Sequence, residues 1–202
     1  MLKVFLVEDE VVMRNGIKNN IPWEQEGFEF AGEASDGELA YPLIKKEKPD
    51  ILITDIRMPF MDGLELSRLV KKELPQIKII ILSGYNEFDY AKTAINIGVT
   101  DYLLKPISSA KLLEAVKKVA DMIEKEQDNA RLIKRYEKEM EENILQEKHK
   151  LWGALASNRL STIELLEKGQ RLGIDFTASA YQVFLFKLMQ EGDSTGCSEE
   201  LN

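Results

Sequence analysis

Short apolar runs alternate with amphipathic stretches through the first 120 residues of the chain. The runs have the length of strands, are rich in β-branched or aromatic residues, and are bounded by turn formers, which predicts β-strands. These predicted strands cover residues 2–8, 28–34, 50–54, 77–82 and 100–104. The stretches between them repeat apolar residues at helical spacing and predict helices near residues 10–20, 37–47, 64–74, 87–97 and from 109 onward.

The order of these elements predicts the fold class. Five strand–helix units in succession indicate an α/β domain with a doubly wound, five-stranded parallel sheet. The run IKIIIL at 77–82 is apolar on both faces, which is typical of a central strand that helices cover on both sides. Asp62 and Glu65 have the spacing of a capping box and predict the start of a helix there.

A highly charged segment follows the α/β domain. Residues 123–150 contain 15 charged side chains among 28, too many for a compact core, and no proline or glycine interrupts their helical pattern. We interpret 1–120 as the α/β domain, 121–152 as a helical linker that continues its last helix, and 153–202 as the start of a second domain. The apolar run at 180–190 predicts a strand of that second domain, and because few residues follow it, we expect the chain to be a fragment of a longer protein.

An imperfect heptad pattern runs along the linker helix. Nine of the twelve a and d positions between residues 116 and 154 are apolar, and the other three are glutamates. The pattern favours a homodimer through the helix at 108–150, and the alternative is a solvated single helix with i,i+4 charge pairs. In the dimer the seam would bury side chains that otherwise face water, namely Ile123, Ile133, Met140 and Ile144.

Composition narrows the classes of function. Among 202 residues, 27 are basic and 35 acidic, a net charge of −8 that repels nucleic acid, so we expect DNA contact only through a domain absent from this chain. The single cysteine, Cys197, excludes an intramolecular disulfide, and the single histidine, His149, is expected to be a solvated helix residue. Because the sequence has neither a membrane-spanning apolar stretch nor a signal-peptide pattern, we expect a cytoplasmic protein without membrane contact.

Charged and polar residues follow the predicted strands. The carboxyl ends of parallel strands meet at one edge of a sheet, and this edge would collect Glu8, Asp9, Asp55, Ser83 and Lys105. Any one of the acids has an ordinary interpretation as a helix-capping residue, but the whole set favours a functional site. Crowded carboxylates need a cation among them, and a few hard oxygen ligands beside a phosphate favour Mg²⁺.

Two competing classes of site fit the sequence poorly. A flavodoxin-like or Rossmann-type nucleotide site needs glycines or hydroxyls after the first strand, whereas this loop reads VEDE and repels a bare phosphate. A phosphatase of the haloacid-dehalogenase type would need a second aspartate two residues after Asp55, where Arg57 stands.

Four motifs in order, VEDE, LITDIRMPFMDG, ILSGYNEFDYA and DYLLKPI, resemble the receiver domain of two-component response regulators over about residues 1–120. The resemblance implies a CheY-like fold in which Asp55 is the phosphoacceptor. It also implies that Mg²⁺ is held by Glu8, Asp9, Asp55 and the backbone carbonyl of Arg57.

The same resemblance implies roles for the ends of the last two strands. Lys105 would contact the phosphoryl group, and a cis peptide would precede Pro106. Ser83 would be the hydroxyl switch residue, which also donates to the phosphoryl group, and Tyr102 would be the aromatic switch residue.

The resemblance implies a signalling function with a histidine kinase as partner, and a phosphorylation switch rather than a turnover enzyme. The order of receiver, helical linker and partial second domain resembles YesN-like, AraC-type response regulators, so we expect a transcriptional output. Two alternatives stay open: a receiver that controls a catalytic output domain, and a stand-alone receiver that acts as an adaptor.

Overall fold

The computed structural model describes residues 1–84, 88–157 and 159–176. Its five-stranded parallel sheet has the strand order β2-β1-β3-β4-β5, which confirms the predicted fold class. The strands are β1 Leu2–Val7, β2 Phe28–Ala34, β3 Ile51–Asp55, β4 Lys78–Ser83 and β5 Asp101–Leu104. The helices are α1 Val11–Asn20, α2 Gly37–Glu47, α3 Gly63–Glu73, α4 Phe88–Ile97, α5 Ser109–Ala156 and α6 Thr162–Arg171.

Helices cover both faces of the sheet. Successive strand residues point to opposite sides, and the strands carry apolar residues on both. Leu6 of β1 lies in a buried cluster with Ile17 of α1 and Val116 of α5. Its neighbour Phe5 lies in a second cluster, on the other face, with Ile44 of α2. Each strand therefore contributes apolar side chains to both clusters, as the run at 77–82 predicted.

Strand register aligns the ends of the central strands. Asp55, the last residue of β3, pairs with Leu82 of β4, and Ser83 at the end of β4 pairs with Leu104 of β5. The residue after Leu104 is Lys105, so three predicted site residues come from neighbouring strand ends at one edge of the sheet.

The first part of α5 packs against the sheet for longer than we predicted. Ile123 is only 7% exposed and belongs to the same buried cluster as Val116, Val119 and Trp23. The prediction that Ile123 faces water in a monomer is therefore wrong. The reason is that the apolar heptad positions lie on the same face of α5 that packs against the sheet. This face contacts the sheet as far as Ile123.

A hydrogen-bonded ion pair continues that attachment by almost one turn. Lys78 Nζ at the start of β4 donates to Glu126 Oε1 at 2.6 Å. Glu126 occupies a d position of the heptad pattern, so this position also faces the α/β domain. The helix therefore contacts the α/β domain with both apolar and charged side chains.

Contacts divide the chain into two compact units, residues 1–132 and 133–202. In the second unit, Ser161 and Glu164 form a complete capping box at the start of α6, and the rings of Trp152 and Phe176 meet edge to face at 5.6 Å.

His149 is exposed on α5, as predicted. The predicted strand at 180–190 and Cys197 lie outside the described residues. None of the helices in the described part of the chain is both long and apolar enough to cross a membrane.

Candidate functional site

Three carboxylates converge at the carboxyl edge of the sheet. Glu8 and Asp9 directly follow β1, and Asp55 ends β3, the strand beside it. One carboxylate oxygen from each of them lies within 4.8 Å of the others. The structure thus brings together all three acidic side chains that the sequence predicted as metal ligands.

Lys105 bridges two of these carboxylates. Its Nζ donates to Glu8 Oε1 and Oε2 at 3.0 and 2.8 Å and to Asp55 Oδ2 at 2.8 Å. The Lys105–Pro106 peptide is cis, as predicted. The predicted phosphate-contacting lysine therefore already lies against the predicted phosphoacceptor.

Burial strongly affects the electrostatics of this cluster. Glu8 is completely buried, and loss of water raises its pKa, although the hydrogen bonds and charge of Lys105 act in the opposite direction. Burial also acts to lower the pKa of Lys105, but its hydrogen bonds to Asp55 and Glu8 outweigh burial and raise that pKa. Lys105 thus remains cationic and partly offsets the crowded negative charge.

The carboxylate cluster fits a small divalent cation. All three predicted side-chain ligands offer hard oxygens, which Mg²⁺ prefers. Asp9 is exposed whereas Glu8 is buried, so the cluster opens to solvent on one side and leaves room for metal-bound water. A bound cation would also compensate the negative charge of the buried Glu8 carboxylate.

The backbone around Asp55 holds its side chain in place. Asp55 Oδ1 accepts a hydrogen bond from the amide of Ile56 at 2.7 Å, and the carbonyl of Ile56 accepts one from the amide of Gly63 at 2.9 Å. A side chain at Gly63 would clash with the carbonyl of Asp55. The sequence predicted only a helix start near Gly63, because a backbone contact of this kind does not change the pattern of apolar and polar residues.

Arg14 is a second residue that sequence reasoning missed. Its Nη1 donates to the backbone carbonyl of Glu8 at 2.6 Å and thereby supports the loop that carries two of the acids. The only signal was its place on α1, shortly after the VEDE motif.

The two predicted switch residues lie on neighbouring strands. Ser83 is buried at the end of β4, and Tyr102 of β5 pairs with Ile81 two residues earlier on β4. The Tyr102 ring packs against the cluster that contains Phe5. Its hydroxyl is buried and has no hydrogen-bond partner among the residues that the structure describes.

Arg57 lies in the loop between β3 and α3. Its side chain is exposed, and its guanidinium carbon lies 5.9 Å from the centre of the Tyr90 ring on α4. The same loop contains Phe60, which has a φ of 64° and an 82% exposed side chain. The side chain of Arg57 is thus directed to α4, whereas only its backbone carbonyl was predicted to serve the metal.

Comparisons with known proteins agree with this geometry. The model of the response regulator receiver domain family matches residues 4–117. The uncharacterized transcriptional regulatory protein YesN of Bacillus subtilis is 40% identical over 119 residues, which are 59% of this chain and 32% of that protein. The transcriptional regulatory protein HptR of Staphylococcus aureus is 39% identical over 132 residues, 65% of this chain and 52% of that protein. The chain thus spans between a third and about half of the length of these relatives.

Solved structures show the same likeness. The receiver (REC) domain of AraT, a response regulator from Geobacillus stearothermophilus, is 42% identical with a TM-score of 0.59, covering 62% of this chain and 98% of that one. A two-component transcriptional regulator AraC from Clostridium phytofermentans is 32% identical with a TM-score of 0.56, covering 64% and 99%. The family match, the parallel sheet and the edge that gathers the acids with Lys105 lead to one conclusion: the chain belongs to the response regulator receiver domain family of two-component systems.

Proposed function

We propose that this chain is the phosphorylation-controlled input part of a transcriptional response regulator. In this proposal Asp55 accepts a phosphoryl group from a sensor histidine kinase in the presence of Mg²⁺, and the phosphorylated domain switches a DNA-binding domain that lies outside this chain. The observation that carries the proposal is the Lys105 ammonium group, which contacts both Asp55 and the fully buried Glu8.

The proposed reaction is a single phosphoryl transfer. The bond between phosphorus and the kinase histidine nitrogen breaks, its electron pair remains on the imidazole, and a bond forms between phosphorus and an Asp55 carboxylate oxygen. A carboxylate nucleophile has no proton to lose and needs no general base, so catalysis consists of positioning and charge neutralisation. The Ile56 amide orients Oδ1, and Lys105 at Oδ2 neutralises charge on the incoming group.

The chain offers a defined set of ligands for the metal. Glu8, Asp9, Asp55 and the backbone carbonyl of Arg57 would hold Mg²⁺, and the bound ion would supply neutralising charge to the phosphoryl oxygens. The Ser83 hydroxyl would donate one hydrogen bond to the phosphoryl group. The proposed outcome is a stoichiometric switch and not a turnover reaction.

The proposed output passes through Ser83 and Tyr102. Movement of Ser83 toward the phosphoryl group would change the packing that the Tyr102 ring makes beside β4, and α4 and β5 would carry the change to the surface. The names of YesN and HptR as transcriptional regulatory proteins support a transcriptional output. With a net charge of −8, this chain is poorly suited to bind DNA by itself.

The proposed homodimer uses the part of α5 that follows its attachment to the sheet. Three side chains of the heptad stripe are exposed there: Ile133 at 58%, Met140 at 64% and Ile144 at 43%. Pairing two such stripes would remove these apolar side chains from water. A two-fold dimer would also present two DNA-binding domains to paired half-sites.

Intact-mass measurement with a small acyl-phosphate donor tests the proposed phosphorylation. We expect one phosphoryl group per chain in Mg²⁺, no labelling in Asp55→Asn, and no labelling after a chelator removes the metal. Asp50→Asn is a matched control, because Asp50 accepts from the backbone amide of Lys3, at the start of β1. Labelling of Asp55→Asn to the level of the parent chain would contradict the assignment.

A further inference from the structure

Arg57 and Tyr90 link the loop after β3 to helix α4. Their separation of 5.9 Å, from guanidinium carbon to ring centre, lies within the range of a cation–π interaction. Arg57 is exposed, whereas Tyr90 is partly buried and packs against the same apolar cluster as Tyr102. The contact therefore connects a charged side chain of the β3–α3 loop to a helix whose Tyr90 packs against the same cluster as the proposed aromatic switch.

Arg57 is close enough to Asp55 to change partner. Only Ile56 lies between them in the sequence, so their Cα atoms are at most about 7 Å apart, and the long arginine side chain can span that distance. A guanidinium group stays charged at all ordinary pH values and presents several donors to phosphate oxygens. A phosphoryl group on Asp55 would place up to about two negative charges in this range.

We propose that Tyr90 holds the Arg57 guanidinium in the unphosphorylated domain, and that Arg57 leaves the ring for the phosphoryl oxygens once Asp55 is phosphorylated. This inference rests on the proposed phosphorylation of Asp55. It makes Arg57 a second cationic side chain on the phosphoryl group, after Lys105, and Tyr90 the residue that holds Arg57 before phosphorylation. The exchange is favourable because an exposed cation–π contact is weak, whereas hydrogen bonds between guanidinium and phosphate are charge-assisted and bidentate.

The exchange has a consequence for α4. When Arg57 leaves, the ring face of Tyr90 loses its cation and becomes available to a binding partner. Phosphorylation would thus be reported on the surface of α4 by a path that starts in the β3–α3 loop and is separate from the movement of Ser83.

Binding of beryllium fluoride with Mg²⁺, as a reversible phosphoryl mimic, tests the proposal in the full chain. In the proposal the Tyr90 ring competes with the mimic for the Arg57 guanidinium. The Tyr90→Leu variant removes this competition and should bind the mimic about two- to five-fold more tightly than the parent chain. Tyr90→Phe keeps the aromatic ring and should restore the affinity of the parent chain. Arg57→Ala keeps the backbone carbonyl for the metal but should bind the mimic several-fold more weakly.

The double variant separates positioning from packing. With Arg57→Ala already present, Tyr90→Leu should have no further effect on affinity, because no guanidinium remains to be released. A change of equal size in both backgrounds, or a Tyr90→Phe variant that behaves like Tyr90→Leu, would overturn the proposal. An Arg57→Ala variant with the affinity of the parent chain would also overturn it.

A side-chain NMR measurement gives an independent readout that does not depend on the Tyr90 variants. Protons of the Arg57 side chain should be shifted upfield by the Tyr90 ring, and this shift should disappear when beryllium fluoride and Mg²⁺ are added. An upfield shift that persists in the complex would contradict the exchange. The Asp55→Asn variant separates failure of the proposed phosphorylation site from failure of the exchange. If this variant binds the mimic as tightly as the parent chain, both proposals are contradicted. If this variant does not bind the mimic and the exchange is still not observed in the parent chain, only the Arg57–Tyr90 proposal is contradicted.

Discussion

Lys105 and Glu8 form a buried ion pair in which one ammonium group donates to both oxygens of one carboxylate, at 3.0 and 2.8 Å. Glu8 has lost all contact with water, so these two hydrogen bonds are its main compensation for desolvation. Because the same ammonium group also contacts Asp55, the ionisation of Glu8 is coupled to the position of the proposed phosphoacceptor.

Removing the Lys105 ammonium group should destabilise the metal-free protein. Lys105→Ala leaves Glu8 buried without its ionic partner, and we expect the free energy of unfolding to fall by about 3 kcal/mol in the presence of a chelator. Mg²⁺ should restore part of the loss by replacing the missing positive charge. Urea unfolding measures both effects. Lys46→Ala is the matched control, since the Lys46 side chain is 77% exposed in its pair with Glu47 and its loss should change stability by less than about 1 kcal/mol.

Glu8 should make stability depend on pH. Burial raises its pKa, so the folded chain binds this proton more tightly than the unfolded chain, and stability is lost as the pH rises from the unfolded pKa through the folded one. Glu8→Gln cannot ionise, so its stability relative to the parent should increase over that interval. Urea unfolding at a series of pH values, with a chelator present, measures the difference. A difference that stays constant or decreases as the pH rises would contradict the burial argument.

Gly63 should tolerate no side chain. Its Cβ would overlap the carbonyl of Asp55, so we expect Gly63→Ala to force the start of α3 away from the end of β3 and from the proposed phosphoacceptor. We expect a loss of several kcal/mol in unfolding free energy, together with slower phosphorylation by a small donor. Gly16→Ala is the control, because a Cβ at Gly16 on α1 meets only Asn20 Nδ2 at 3.9 Å and alanine favours helix. Equal stability of the two variants would contradict the close contact.

Replacement by aspartate should have different effects at two isoleucines of α5. Ile123→Asp places a charge in the buried cluster and should destabilise the α/β domain by about 3 kcal/mol or more. Ile133→Asp changes an exposed side chain, so it should leave unfolding of that domain nearly unchanged and weaken the proposed homodimer. Thermal unfolding and sedimentation over a concentration series separate the two effects. A parent chain that is monomeric at every concentration would exclude the dimer.

The fold and the acidic edge could be predicted because their causes are local and repetitive. Predicted strand bounds such as 77–82 lie within one residue of the observed Lys78–Ser83, since short apolar runs between turn formers mark strands directly. Parallel strand order then brings Asp55, Ser83 and Lys105 to one edge without further information.

The remaining features depend on which surfaces meet, and periodicity does not carry this information. Ile123 and Ile133 share one helix stripe, and only the extent of the sheet decides that the first is buried and the second exposed. The overlap at Gly63 is a backbone contact, and the contact of Arg57 with Tyr90 joins a loop to a helix that is distant in sequence. Each of these requires the three-dimensional arrangement.

The ion pair between Lys78 and Glu126 has a practical consequence for where an isolated receiver should be cut. The family model ends at residue 117, and a cut there or at 120 would remove both Ile123 and the carboxylate that pairs with Lys78. Such a truncation would leave an apolar gap in the buried cluster to which Ile123 belongs, together with Trp23 and Phe28. We therefore expect the shortest self-sufficient receiver to include residue 126, so that several residues that look like linker in the sequence belong to the α/β domain.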